Sequence, residues 1–87
     1  MNNTKPTAVY LCGIDVGTTG TKTMIFDLDG NIIGKAYREY GCIYPKPNWV
    51  EQDIDMVFGE SVASCREAVE KAGIRPEQIA SVALSTQ

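Results

Sequence analysis

Apolar and polar positions alternate along this chain in blocks that predict five elements. Residues 8–16 (AVYLCGIDV) are nearly continuously apolar and rich in β-formers, which predicts a central strand. Residues 23–27 (TMIFD) predict a second strand, and the short Gly/Thr stretch between the two predicts an antiparallel hairpin. Asp29-Gly30-Asn31 is a turn signal. Residues 32–40 form a third, less apolar strand near an edge, in which Gly34 marks a bulge. Residues 41–52 read as a loop, because Pro45 and Pro47 interrupt regular structure. Asp53 is placed to cap a helix. At 100° per residue, Ile54, Val57, Phe58, Val62, Cys65, Ala68, Val69 and Ala72 share an arc of about 140°, with Ser64 on the opposite, polar side. Gly73 stops the helix. Residues 79–85 give a fourth strand. The order β-β-β-α-β predicts three antiparallel strands plus one returning parallel, an α/β mixed sheet with the helix on one face.

Length and composition narrow the function classes. The 87 residues suffice for one small domain, and such a domain buries only about 60% of its unfolded surface. Eight Lys/Arg against eleven Asp/Glu give a net charge of −3, with no basic patch for nucleic acid. No apolar run approaches a membrane span. There is no histidine, and Cys12, Cys42 and Cys65 form no Cys-x-x-Cys pair, which excludes a His-containing zinc site. Cys12 and Cys65 read as small core residues. An odd cysteine count without a signal peptide points to the reducing cytoplasm.

The candidate chemistry lies in Asp15-Val16-Gly17-Thr18-Thr19-Gly20-Thr21-Lys22. Strand alternation puts Leu11, Gly13 and Asp15 on one face and Tyr10, Cys12, Ile14 and Val16 on the other. A carboxylate ending an apolar strand is costly unless a cation or a donor-rich turn offsets it. Gly17 and Gly20 permit unusual torsions, so the turn can aim several N–H groups at one anion. Thr18, Thr19 and Thr21 add hydroxyls, and Lys22 adds a positive charge. This set suits a triphosphate with Mg²⁺. The alternative is a plain hairpin, with Asp15 bonded to the turn's own N–H groups and Lys22 in solvent. The stretch is neither a P-loop nor a dinucleotide fingerprint.

GIDVGTTGTKTMIFDLDGNII resembles the amino-terminal phosphate-binding motif of the FGGY carbohydrate kinases. YPKPNWVEQD is similar to the loop before the first long helix in glycerol kinase-like members. IRPEQIASVALSTQ is similar to the family's next strand. The β-β-β-α-β order likewise resembles the first part of a ribonuclease H-like subdomain, the unit of the actin/hexokinase-type ATPase fold. The resemblance implies ATP and Mg²⁺ as cofactors and a sugar or polyol as substrate. It implies that Asp15 helps hold the metal through water. Gly17, Thr18 and Thr19 would line the γ- and β-phosphates, with Lys22 nearby. Trp49 and Glu51 would contact substrate, as would Gln87. The plainer reading is that Trp49 packs the loop and Asp53 only caps the helix. Tyr37, Tyr40 and Tyr44 read as packing residues.

The resemblance also implies what lies elsewhere. FGGY kinases are several times longer, with ATP between two actin-like domains and an aspartate general base well downstream. Residues 1–87 are thus expected to be an incomplete amino-terminal part of the first domain, inactive alone. Self-association through the exposed edge or face of the sheet is expected to follow. An actin/Hsp70-type ATPase and a non-catalytic interaction module are the other readings.

Overall fold

The computed structural model describes residues 8–40 and 49–86, with 49–53 described by backbone alone. The elements are β1 (Tyr10–Val16), β2 (Gly20–Phe26), β3 (Ile32–Glu39), α1 (Trp49–Ala72), a 3₁₀ turn (Pro76–Gln78) and β4 (Ile79–Thr86). They form one sheet in the order β3-β2-β1-β4. β1 pairs antiparallel with β2 and parallel with β4, and β2 pairs antiparallel with β3. This is the expected mixed sheet, with α1 on one face.

Two boundaries differ from expectation by three residues or more. β2 begins at Gly20 rather than at residue 23, so only Gly17, Thr18 and Thr19 form the turn. Thr21 and Lys22 are held extended by pairing on both sides, with Val16 and Asp15 of β1 and with Arg38 and Tyr37 of β3. β-branched threonine suits that pleated position. The helix begins at Trp49, so Asp53 lies inside it and does not cap it. Nothing in Trp49-Val50-Glu51-Gln52 breaks a helix, and acids near its start favour the positive end of the helix dipole.

The other turn signals act as predicted. Gly30 takes a φ of 88°, and the Asp27 carboxylate accepts the N–H groups of Asp29 and Asn31 at 2.9 and 2.8 Å. Gly73 takes a φ of 71°, and its N–H closes the helix on the Val69 and Glu70 carbonyls. A register shift between Ile25 and Phe26 leaves Ile33 as the extra residue beside Gly34, the predicted bulge. Gly34 has a second role. A Cβ there would stand 2.5 Å from the Ala68 carbonyl oxygen, so the glycine lets α1 sit close on β3.

α1 is seated by small residues. Ala68 and Val69 pack with Cys12, Ile25 and Ala36 in the core. Ser64, read as polar surface, is fully buried, as are Thr21 and Thr23. Ser64 Oγ donates to the Ser61 carbonyl at 2.9 Å, so its single proton is committed, and Thr23 Oγ1 donates to Ser64 Oγ at 2.6 Å. Ser61 Oγ donates to Thr21 Oγ1 at 3.2 Å. Arg38 of β3 adds an exposed ion pair to Glu60 at 2.7 Å. Cys65 and Ala72 pack partly against this core, and the arc toward the start of the helix is less covered. Phe58 and Val62 overhang β1 and β4 and, with Ile14, Val16, Val82 and Leu84, line an open apolar groove. Phe58 is 69% exposed and Leu84 65%.

Candidate functional site

The turn between β1 and β2 joins two strands whose register puts Asp15 opposite Lys22. Ser85 of β4 is the partner of Asp15 on its other side, and Tyr37 of β3 is the partner of Lys22. Register partners point to the same face. Tyr37, Lys22, Asp15 and Ser85 therefore form one row across all four strands, on the face away from α1, and all four are exposed. Ser85 and Tyr37 are additions that sequence reasoning missed as site residues.

The exposure of Asp15 corrects one expectation. Its carboxylate is in water, so burial does not make it costly. It is a free acid beside a lysine, available to a hydrated cation. Thr21 is also corrected: it faces α1, fully buried and bonded by Ser61, so its hydroxyl serves the helix seat and not a ligand.

The turn itself is ordered by its carbonyls. The Gly17 N–H donates to the Gly20 carbonyl at 2.9 Å. The Tyr40 N–H donates to the Thr19 carbonyl at 3.0 Å. The Tyr40 hydroxyl sits between the Gly17 and Gly20 carbonyls, 3.1 Å from the latter. Thr18 and Thr19 are exposed, and their N–H groups have no acceptor among the described residues. Unusual torsions are not the reason for the glycines: among the described residues only Gly30 and Gly73 have positive φ. A Cβ on Gly20 would run into the Tyr37 ring and stand 2.8 Å from the Arg38 carbonyl oxygen, so Gly20 is there for close approach of β3.

Other predicted site residues lie elsewhere. Trp49 and Glu51 are in the first turn of α1, and their side chains fall outside the described residues, as does Gln87. No group of three or more His, Cys, Asp or Glu side chains that could hold a metal occurs among the described residues. A cation at Asp15 would need water and ligand oxygens to complete its shell. Mg²⁺, which keeps several waters, tolerates such a site. No helix among the described residues is long and apolar enough to cross a membrane.

Comparison with known proteins bears on the fold and the family. Component A of (R)-2-hydroxyglutaryl-CoA dehydratase from Acidaminococcus fermentans superposes with a TM-score of 0.65 at 21% identity, over 92% of this chain and 26% of that one. A putative N-acetylglucosamine kinase from Chromobacterium violaceum superposes with a TM-score of 0.59 at 19% identity, over 93% and 36%. The fold is that of a ribonuclease H-like, actin/hexokinase-type ATPase subdomain. Glycerol kinase of Synechocystis sp. is 40% identical over 78 residues, which is 90% of this chain and 16% of that protein. The chain thus spans about one sixth of the length of the curated relatives it matches. The FGGY family of carbohydrate kinases, N-terminal domain, matches residues 10–87. Through that match, which takes in the hairpin, the helix and the final strand, the chain belongs to the FGGY family of carbohydrate kinases.

Proposed function

We propose that this chain carries the phosphate-binding hairpin of an ATP-dependent kinase acting on a sugar or polyol hydroxyl. The observation that carries the reading is the pairing of Asp15 with Lys22 beside a turn whose Thr18 and Thr19 N–H groups are unspent. Asp15 would hold Mg²⁺ through water, and ATP would supply the phosphoryl group. Thr18 and Thr19 would donate N–H and hydroxyl bonds to the β- and γ-phosphate oxygens. Gly17 would shape the turn, its own N–H being spent on Gly20. Lys22 would offset the remaining charge. Such a site works by positioning and neutralising charge.

Glycerol is the leading substrate, because several relatives are glycerol kinases. Trp49, Glu51 and Gln87 are the residues we assign to the substrate side. The general base and the adenosine contacts would come from segments outside residues 1–87, which form an incomplete part of the family's first domain. The chain alone would then show no sugar-dependent ATP turnover. It would self-associate through the β4 edge, whose backbone groups have a partner strand on one side only among the described residues. The odd cysteine count supports work in the reducing cytoplasm.

The test is titration of the ¹⁵N-labelled chain with Mg²⁺ and ATP. Shifts should concentrate at the Thr18, Thr19 and Lys22 amides and lose their Mg²⁺ dependence in Asp15→Ala. Shifts confined to α1 or to the groove would reject the assignment.

A further inference from the structure

Tyr40 lies just past β3, yet both its ends hold the turn between β1 and β2. Its N–H bonds the Thr19 carbonyl at 3.0 Å, and its hydroxyl reaches the Gly17 and Gly20 carbonyls. The consequence follows from peptide geometry. In a trans peptide the C=O of one residue and the N–H of the next point in opposite directions across one rigid plane. The Gly17 carbonyl shares its plane with the Thr18 N–H. Drawing that carbonyl toward Tyr40 aims the Thr18 N–H the other way, out of the turn. The Thr18 N–H has no acceptor among the described residues.

We propose that Tyr40 is a positioning residue for phosphate, its hydroxyl fixing the Gly17–Thr18 peptide plane so that the Thr18 N–H faces an incoming phosphate oxygen. This rests on the phosphate-binding reading of the hairpin and names the residue that preorganises it. Tyr40 itself touches no phosphate; it acts through the backbone. A donor already aimed costs less to order on binding than one free to turn. The hydroxyl keeps its proton, because partial burial, with Tyr37 and Asp15 nearby, holds its pKa above the usual phenol value. Phenylalanine would keep the ring and lose the bond. A purely structural role would show as lost stability without a change at Thr18.

The experiment compares the wild-type chain with Tyr40→Phe, using inorganic tripolyphosphate with Mg²⁺ as the probe and amide NMR as the readout. Tyr40→Phe should weaken tripolyphosphate binding about fivefold, the value of one hydrogen bond. Hydrogen exchange at Gly17 and Tyr40, whose N–H groups are bonded in the turn, should accelerate while Leu11–Ile14 amides stay protected. Equal affinity in the two proteins overturns the role of Tyr40 and leaves the phosphate-binding reading intact. Equal affinity with a lowered unfolding midpoint does the same and marks Tyr40 as structural only. A wild-type chain that does not bind the probe overturns both.

Discussion

Thr23 of β2 and Ser64 of α1 share a 2.6 Å hydrogen bond with both residues fully buried, and this polar contact joins sheet and helix at the centre of the unit. Removing Ser64 strands the Thr23 hydroxyl, and removing Thr23 leaves Ser64 Oγ with only its bond to the Ser61 carbonyl. Thr23→Val and Ser64→Ala should each cost about 1–2 kcal/mol in urea unfolding. The double variant should cost less than their sum, by about 0.5–1.5 kcal/mol, because nothing is then left unpaired. Strict additivity would mean that the bond contributes little.

Glycine positions on and under α1 predict opposite signs. Gly34→Ala places a methyl 2.5 Å from the Ala68 carbonyl oxygen and 2.7 Å from Ala72 Cβ, both fixed by the helix. The helix must lift, at a cost of about 1–3 kcal/mol. Gly59 is inside α1 with nothing within 4 Å of an added Cβ. Gly59→Ala should therefore stabilise by about 0.5–1 kcal/mol, the helix-propensity gain. Thermal unfolding of the two variants reads both.

Burial, reinforced by Cys65 at 4.0 Å, pushes the Cys12 thiol up to about 12. The folded chain then keeps a proton that the unfolded chain releases near pH 9. This contribution to stability is complete below pH 9 and is lost as pH rises toward 12. Cys12→Ala should flatten that alkaline fall in unfolding midpoint. At pH 8, iodoacetamide should label Cys65, which borders the groove, at least ~100-fold faster than Cys12, as judged by peptide mass spectrometry.

The opposite sign holds at Asp27. Hydrogen bonds from the Asn31 side chain and backbone, then from Asp29 and Gly30, hold its pKa below the ordinary carboxylate value. Its contribution is present above the unfolded carboxylate range, near pH 4, and is lost as pH falls through the lower folded value. Asp27→Asn should thus be less stable than wild type at pH 7, and the gap should close toward pH 2. A gap independent of pH would show that charge at Asp27 is irrelevant to the turn.

How legible this molecule is in its sequence depends on how far apart the deciding residues lie. The strands, the Asp27–Asn31 turn and the Gly73 stop are local, and the apolar pattern and turn residues suffice to find them. The hairpin's width is not local. Gly20, Thr21 and Lys22 look like turn residues by composition, but pairing with β3 some 15 to 20 positions away makes them strand. Ser64 looks like surface on a helical wheel, and only a partner 41 positions away shows why it is buried. Asp15 and Lys22 were readable as candidates from the motif. The addition of Ser85 needed the parallel register of β4, and the hold of Tyr40 on the turn spans 20 and 23 positions.

The seating of α1 divides its residues into two sets. Ser61, Ser64, Ala68 and Ala72 decide where the helix rests, while Phe58, 69% exposed, reaches over the groove into solvent. A change at Phe58 can therefore be absorbed with little thermodynamic penalty to the scaffold. The hairpin is not sealed off from the neighbouring trough, because Ile14 and Val16 of β1 form part of its wall.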